Sequence, residues 1–332
     1  MPMTLRRRFL RMTIPIVGSV GFVRPLASQA QDALDSLKIL CGYPPGGPTD
    51  LVSRWVADKL AGNYAKAALV DNRPGAAGRI VIDALKSSPT NGKTMLLTPS
   101  SVLTLYPYLF RQLSYNPITD LTPVSVACEH VHGLAMGPAV PDQVRSVADF
   151  VAWAKANPAK ADCGNPGEGS SPHLLTVVLA KASGAPIRAV PYRGGVSAMT
   201  DLISGQLASA MLPEGVFLPY TADRRARVIA TTGPTRSQFY ADVPTFAEQG
   251  LQHMVYTEWF GFFMPAGTSD LIVNVAAEAV AKALGQLDLI NAFAKAGLVA
   301  TRSTPAELAR RLSTELAYRG PEVKSLGFNL LD

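Results

Sequence analysis

The feature that most constrains the fold is an alternation of short apolar runs with longer segments of helical periodicity. Residues 37–42 have the composition of a buried strand, and residues 49–61 repeat apolar side chains at helical spacing. The same alternation continues through a strand-like run at 67–71, a helical segment at 79–87 and a strand-like run at 94–98. Strands that alternate with helices favour a parallel, doubly wound α/β sheet.

This alternation is interrupted once and then resumes. Residues 118–137 form two successive strand-like runs, and the chain ends in helical segments from Ser269 onward. Between them the sequence predicts helices at 147–155, 172–182 and 195–203, and strands at 161–164, 187–190, 207–212, 227–231 and 258–264. Two alternating blocks joined by strand-like crossings predict two α/β lobes with a ligand cleft between them. We place lobe 1 at residues 31–127 plus 255–332, and lobe 2 at residues 128–254.

The first thirty residues are typical of an export signal. Four arginines (Arg6, Arg7, Arg8 and Arg11) precede a short apolar stretch at 14–23, and small residues at 28–30 suit a signal peptidase. Glycines and prolines interrupt this segment, which argues against a first helix of the mature fold. The arginine pair also resembles a twin-arginine signal, so the choice between Sec and Tat export stays open. The mature protein is therefore predicted to be periplasmic, with a signal peptide at residues 1–30.

The positive charge of the chain belongs to this signal. The chain has a formal net charge of +6, but residues 1–30 contain five arginines and no acidic residue. The remainder carries 26 basic residues against 25 acidic ones. No basic surface is left to support nucleic-acid binding.

The cysteines and histidines give no disulfide framework and no metal signature. The three cysteines, Cys41, Cys128 and Cys163, are few and odd in number, so whether any two pair stays open. His130 and His132 share a face of a strand and could be two metal ligands, but no nearby carboxylate or cysteine pattern completes a site. We therefore expect surface or edge-strand histidines, and no metal and no cofactor.

A search for catalytic motifs leaves one weak alternative. Cys163, Ser170 and His173 lie around one predicted turn and could supply a nucleophile and a base. No residue orients the histidine, and a cysteine in this context is more often buried. The sequence has neither a Walker loop nor a nucleophile elbow, so we expect a protein that is not an enzyme.

Two glycine-rich loops remain, each between a predicted strand and a predicted helix. The first is YPPGGPTD at residues 43–50, and the second is CGNPGEGSSPH at residues 163–173. Unpaired N–H groups and the helix dipole at such positions favour an anion. An ordinary connection with capping by Thr49, Asp50, Ser170 or Ser171 would explain each loop alone. Two such loops, one in each predicted lobe, predict a clamp on a small anionic ligand.

From about Leu37 onward, several further segments occur in order with these loops. They are DNRPGAAG (71–78), LSYNPITDLTPVSV (113–126), VPYRG (190–194), DVPT (242–245), WFG (259–261) and PAGT (265–268). With YPPGGPTD and GEGSSPH, the chain resembles the Bug receptors of tripartite tricarboxylate transport systems, the TctC-type solute-binding proteins. The resemblance implies a type II periplasmic binding fold that closes on a small carboxylate.

The resemblance also implies a set of ligand-binding residues. The first loop would contribute Gly46, Gly47, Thr49 and Asp50, with Asp50 either accepting hydrogen bonds from a ligand-bound water or only capping its helix. The second loop would contribute Gly169, Ser170 and Ser171, with His173 packing beneath it. Weaker candidates are Ser100 and Ser101 after a strand, Arg79 as a partner for a second carboxylate, and Tyr192 at the edge of the cleft.

Three positions depart from the family pattern. Pro166 removes an N–H donor from the second loop, Glu214 lies in a segment that usually carries aspartate and asparagine, and Glu258 stands where a small or neutral residue is common. If Glu214 or Glu258 faces the cleft, the ligand would need an amino group or another donor, since a carboxylate alone would be repelled. These departures concern the class of ligand.

We therefore expect an exported, monomeric receptor that captures a small organic carboxylate in an interlobe cleft and delivers it to a tripartite tricarboxylate-type permease of the inner membrane. The alternatives are an orphan ligand sensor for a signalling partner, and an exported enzyme that uses Cys163, Ser170 and His173. The sequence does not distinguish transport from sensing.

Overall fold

The computed structural model describes residues 34–325 and residue 331, so the predicted export signal lies outside the described residues. Its strands are β1 (Leu34–Cys41), β2 (Ala65–Asn72), β3 (Thr94–Pro99), β4 (Leu121–Met136), β5 (Asp162–Asn165), β6 (Arg188–Pro191), β7 (Ser209–Pro213), β8 (Arg227–Thr231), β9 (Thr257–Pro265) and β10 (Val299–Ala300). Its α-helices are α1 (Pro48–Leu60), α2 (Ile80–Lys86), α3 (Ser100–Thr104), α4 (Tyr106–Leu109), α5 (Val147–Ala156), α6 (Ser171–Ser183), α7 (Gly195–Ile203), α8 (Leu218–Thr221), α9 (Asp270–Leu284), α10 (Leu287–Lys295) and α11 (Pro305–Ser325).

The sheet is mixed rather than wholly parallel. Its order is β2-β1-β3-β9-β4-β7-β5-β6, with β8 and β10 also pairing with β4. β1 is parallel to β2 and β3, and β5 is parallel to β6 and β7. β9 and β4 join these two parallel blocks and pair antiparallel to β3, to each other and to β7. The predicted α/β alternation is therefore present on each side of two antiparallel crossing strands.

The long strand β4 corrects one expectation. Residues 118–137 were expected to form two successive runs, but Leu121–Met136 is a single strand of 16 residues. No turn is needed within it, because it exchanges partners instead: it pairs with β9 as far as Val131 and with β7 from His132 onward. Register shifts near Pro123 and Val126 absorb the irregularity. The strand thus links both blocks of the sheet and brings residues of both to its middle.

The core is built from the apolar faces of the helices on both sides of this sheet. α1 buries Val52, Val56 and Leu60 against β1 and β3, at the spacing expected for one face of a helix. The three cysteines are buried free thiols. Among the described residues, no helix has an apolar stretch long enough to cross a bilayer.

Candidate functional site

The first loop borders a cavity at the start of α1. Pro44, Pro45, Gly47, Pro48 and Thr49 line this cavity. Pro48 is the first residue of the helix, where its fixed φ suits the helical turn and its missing N–H costs no hydrogen bond. The loop therefore presents a fixed backbone and an uncovered helix N-terminus to the cavity.

Asp50 lies just beneath this loop, and its carboxylate is held by protein donors. Its oxygens accept hydrogen bonds from Gly46 N at 2.9 Å, Asn72 Nδ2 at 2.8 Å and Arg54 Nε at 3.0 Å. Burial opposes its ionisation, but these donors keep the pKa of Asp50 below its usual range. Asp50 is 1% exposed and is not among the residues that line the described cavity. In this structure Asp50 holds the first loop on α1.

The second loop also borders the cavity. Pro166, Ser170 and Pro172 line the cavity, and the Ser170 hydroxyl accepts a hydrogen bond from His173 N at 3.4 Å and thereby caps α6. The Ser170 hydroxyl also donates to the Gly167 carbonyl at 2.6 Å. The loop is therefore tied to its own helix, as a capping role requires.

The cavity measures about 320 Å³, which is near the lower end of the range typical for small-molecule sites. Its wall comprises the two loops and residues from β4, β7, β9 and the start of α7. The lining residues are Tyr43, Pro44, Pro45, Gly47, Pro48, Thr49, Pro99, Ser101, His130, His132, Pro166, Ser170, Pro172, Arg193, Gly194, Gly195, Val196, Ser197, Pro213, Val216, Glu258 and Phe260.

A buried carboxylate forms the polar floor of the cavity. Glu258 on β9 is 3% exposed and accepts a hydrogen bond from Ser101 N at 3.1 Å. Its other oxygen accepts from the Ser171 hydroxyl and lies 3.1 Å from His132 Nε2. Burial alone would raise the pKa of Glu258, but His132, His130 and Ser101 lower it to about 2. Glu258 therefore connects the N-termini of α3 and α6 through one charged group.

The two histidines correct a second expectation. Rather than lying at a surface or edge, His130 and His132 are 3% and 0% exposed on a central strand. His130 stands directly opposite Glu258 in the β4–β9 ladder, and this carboxylate is the third group that the local sequence lacks. Burial, with the neighbouring His132, lowers the pKa of His130 to about 3. The position at which β4 changes partner thus collects two imidazoles and one carboxylate.

The sequence-predicted ligand residues divide into two groups. Gly47, Thr49, Ser101 and Ser170 line the cavity. Seven others are not among its lining residues in the described chain: Gly46, Asp50, Arg79, Ser100, Gly169, Ser171 and Tyr192. That any of these eleven binds a ligand stays a prediction.

Several residues of the second group have other contacts. The Arg79 guanidinium stacks on the Phe110 ring at 3.7 Å and donates to the Ala76 carbonyl. The Tyr192 hydroxyl donates to Asp201 at 2.8 Å. Both side chains pack against the protein instead of facing the cavity.

Sequence reasoning missed other lining residues, Arg193 above all. Arg193 is exposed at the cavity, and among the described residues it has no hydrogen bond or ion pair. Its position in the VPYRG segment could have indicated this role, because an arginine in a loop that the family shares can bind a carboxylate. Of the two acidic departures, Glu258 faces the cavity, whereas buried Glu214 accepts from Ser237 and lies outside the lining.

The enzyme alternative required a thiol or a hydroxyl within hydrogen-bond reach of an imidazole at the cavity. Cys163 is fully buried on β5, 3.7 Å from the Thr176 hydroxyl, and burial raises the pKa of its thiol. His173 Nδ1 accepts from Gly169 N at 3.3 Å. The geometry therefore does not pair Cys163 with an imidazole at the cavity, which was the condition for this alternative.

Comparisons with known proteins show which family the chain resembles. A family model described as "Tripartite tricarboxylate transporter family receptor" matches residues 52–328. Protein BugT of Bordetella pertussis is 28% identical over 97% of this chain and 98% of its own length. The R. palustris protein Rpa4515, solved with adipate, is 27% identical with a TM-score of 0.84 and covers 89% of this chain and 98% of its own.

A third comparison concerns the fold alone. The periplasmic binding protein BugD is 21% identical with a TM-score of 0.83, over 89% of this chain and 99% of its own. Together with the alternation of strands and helices, this likeness confirms the predicted periplasmic-binding-protein class of α/β fold.

Proposed function

Because the chain belongs to the tripartite tricarboxylate transporter receptor family, we propose that it is a periplasmic receptor that captures a small organic carboxylate in the cavity described above. It would be exported by the signal at residues 1–30 and would deliver its ligand to a membrane transporter. The adipate complex of Rpa4515 supports a carboxylate as the class of ligand. The family's name supports the transporter as its partner.

The observation that carries this proposal is the combination of Arg193 with two helix N-termini at one cavity. α1 and α6 each have 13 residues, and the residues at their N-terminal ends line the cavity. Partial positive charge at helix N-termini favours an anion, and so does Arg193, which has no partner in the described part of the chain. The prolines of the two loops fix the backbone, so little ordering is required when the ligand binds.

Glu258 is compatible with this proposal because its charge is met by the protein. Ser101 N, the Ser171 hydroxyl and His132 all contact its carboxylate. A ligand carboxylate would therefore bind toward the loops and Arg193, while Glu258 lies at the floor.

The test is a thermal-shift panel on protein freed of bound ligand by unfolding and refolding. It would include adipate, other dicarboxylates, tricarboxylates, aromatic acids and acidic and neutral amino acids. A ligand at a hundred times its dissociation constant should add about 2.7 kcal/mol to the free energy of unfolding. Absence of a shift with every acid would contradict the proposal.

The matched variants are Arg193→Ala and Arg79→Ala. We expect Arg193→Ala to weaken the binding of the active acid by roughly tenfold to a hundredfold, as for a lost charged hydrogen bond. Arg79→Ala, which removes an arginine outside the cavity lining, should leave the affinity unchanged. If Arg79→Ala weakened binding and Arg193→Ala did not, the ligand carboxylate would not bind at Arg193.

A further inference from the structure

The floor of the cavity contains a cluster with the composition of a metal site. One ligand atom each from His130, His132 and Glu258 lies within 4.8 Å of the other two. All three residues are at most 3% exposed, and all three line the cavity. Two come from β4 and one from β9, so the central sheet fixes their positions.

Three of the four imidazole nitrogens in this cluster lack hydrogen-bond partners, whereas His132 Nε2 lies 3.1 Å from both the Ser171 hydroxyl and Glu258. Both ring nitrogens of His130 and the Nδ1 of His132 are buried and have no hydrogen-bond partner among the described protein atoms. A buried polar group without a partner is costly, and native proteins rarely retain one without a role. A neutral imidazole offers one lone pair, which is the group that a divalent transition metal binds.

The ligand set and its supports agree with that chemistry. Two histidines and one glutamate are the protein ligands of zinc centres that keep an open coordination position. Glu258 is oriented by Ser101 N and the Ser171 hydroxyl, as the carboxylate ligands of metals usually are by a second set of hydrogen bonds. Zinc ligands about 2.1 Å from the ion lie roughly 3.4 Å apart, and the His132–Glu258 pair is already at 3.1 Å.

We propose that His130, His132 and Glu258 form a binding site for a divalent transition-metal ion such as Zn²⁺, with its open coordination position toward the cavity. A second carboxylate of the ligand then completes the coordination while the first binds toward the loops and Arg193, a step that rests on the proposed function. The ion neutralises Glu258 and gives the ligand's negative charge a direct partner. This accounts for an acidic residue on the floor of a carboxylate receptor.

The first test measures the metal alone. Protein stripped with a chelator would be titrated with Zn²⁺ by calorimetry and with Co²⁺ by its visible absorption. We expect one ion per chain, a cobalt spectrum of low coordination number, and at least a tenfold loss of affinity in His130→Ala, His132→Ala and Glu258→Gln. His253→Ala, at an exposed histidine outside the cavity, is the control and should bind normally.

Unfolding curves recorded in the chelator would show that each variant is folded. If the wild type binds no Zn²⁺, or if the three variants bind it as tightly as the control does, the proposed metal site is wrong. Loss of folding in the alanine variants would leave Glu258→Gln and the wild-type cobalt spectrum to decide.

The second test couples metal and ligand, with adipate as the probe. We expect adipate to bind at least tenfold more tightly to the zinc-loaded protein than in the chelator. Equal binding in both conditions would keep the receptor function and overturn the bridging metal. Zinc binding without adipate binding would overturn the coupling between metal and ligand. The receptor function is tested separately by the thermal-shift panel, and it would be contradicted if no acid in that panel stabilised the protein.

Discussion

At Glu214, burial and hydrogen bonding act on the carboxyl group in opposite directions. The residue is 2% exposed, and its Oε1 accepts from the Ser237 hydroxyl at 2.7 Å, while its Oε2 has no partner among the described protein atoms. Burial raises the pKa of Glu214 to about 7 from an ordinary value of 4.5, against the opposing effect of Ser237. The folded protein therefore retains a proton there that the unfolded chain releases.

The sign of the pH effect follows from this difference. Between pH 4.5 and pH 7 the folded state binds more protons, so stability falls as the pH rises through that window. We expect Glu214→Gln to remove this loss of stability. With pH 4.5 as the reference, the free energy of unfolding of the variant at pH 8 should exceed that of the wild type by at most about 3 kcal/mol. Urea unfolding of both proteins from pH 4.5 to 8 measures it.

The control for this prediction is Glu278→Gln. Glu278 is exposed on α9, so its substitution should leave the pH profile of stability unchanged. Parallel profiles for the wild type and Glu214→Gln would show that Glu214 is ionised in the folded protein at neutral pH.

The cluster on the cavity floor could be predicted from the sequence only in part. The spacing of His130 and His132 indicated a shared strand face, but not whether that face was buried. Glu258 is 126 residues beyond His132, and only the register of β4 with β9 brings its carboxylate to the histidines. Local spacing cannot reveal a cluster that depends on long-range strand pairing.

Most helices and strands could be predicted, because the periodicity of their apolar residues is a local property of the sequence. The helix at Gly195–Ile203 and the strand at Arg227–Thr231 have the predicted bounds. β4 could not be predicted as one strand, since its continuity depends on partners from two distant segments of the chain. The same dependence explains why the sheet is mixed: periodicity identifies a strand, but its direction is set by tertiary connections.

The first loop offers a test of its role as an element. Gly47 has φ −81° and ψ 167°, which other residues adopt readily, and a Cβ there would have Pro44 O as its nearest neighbour at 3.8 Å. We expect Gly47→Val to change the free energy of unfolding by no more than about 1 kcal/mol. Because Gly47 lines the cavity, the valine should weaken ligand binding at least tenfold, as measured by calorimetry.

Gly285→Val is the matched control for this prediction. Gly285 also has a negative φ, ends α9 and does not belong to the lining residues of the described cavity. Unchanged affinity in Gly47→Val would show that the first loop does not contact the ligand.

Three glycines that we assign to the predicted second lobe lie close to residues that we assign to the first. A Cβ at Gly167 would lie 3.2 Å from the Ala77 Cβ, and one at Gly194 would lie 3.5 Å from Pro44. At Gly215 a Cβ would overlap the Ala296 carbonyl oxygen. The division into lobes stays a prediction. If it is correct, these contacts must separate when the cavity opens.

The contact at Gly215 therefore tests whether the lobes move. A methyl group there cannot coexist with Ala296 in this arrangement, so Gly215→Ala should shift the population toward an open form. We expect a larger radius of gyration by small-angle X-ray scattering without ligand, and a ligand affinity reduced at least tenfold, because binding must then reverse the shift. Saturating ligand should reduce the radius again, and Gly285→Ala, which has only ordinary neighbours, should match the wild type. A lower melting temperature with no change in the radius of gyration would instead show that Gly215 lies in a rigid core. In that case the chain has no hinge motion that relieves the strain, so the strain lowers the free energy of unfolding.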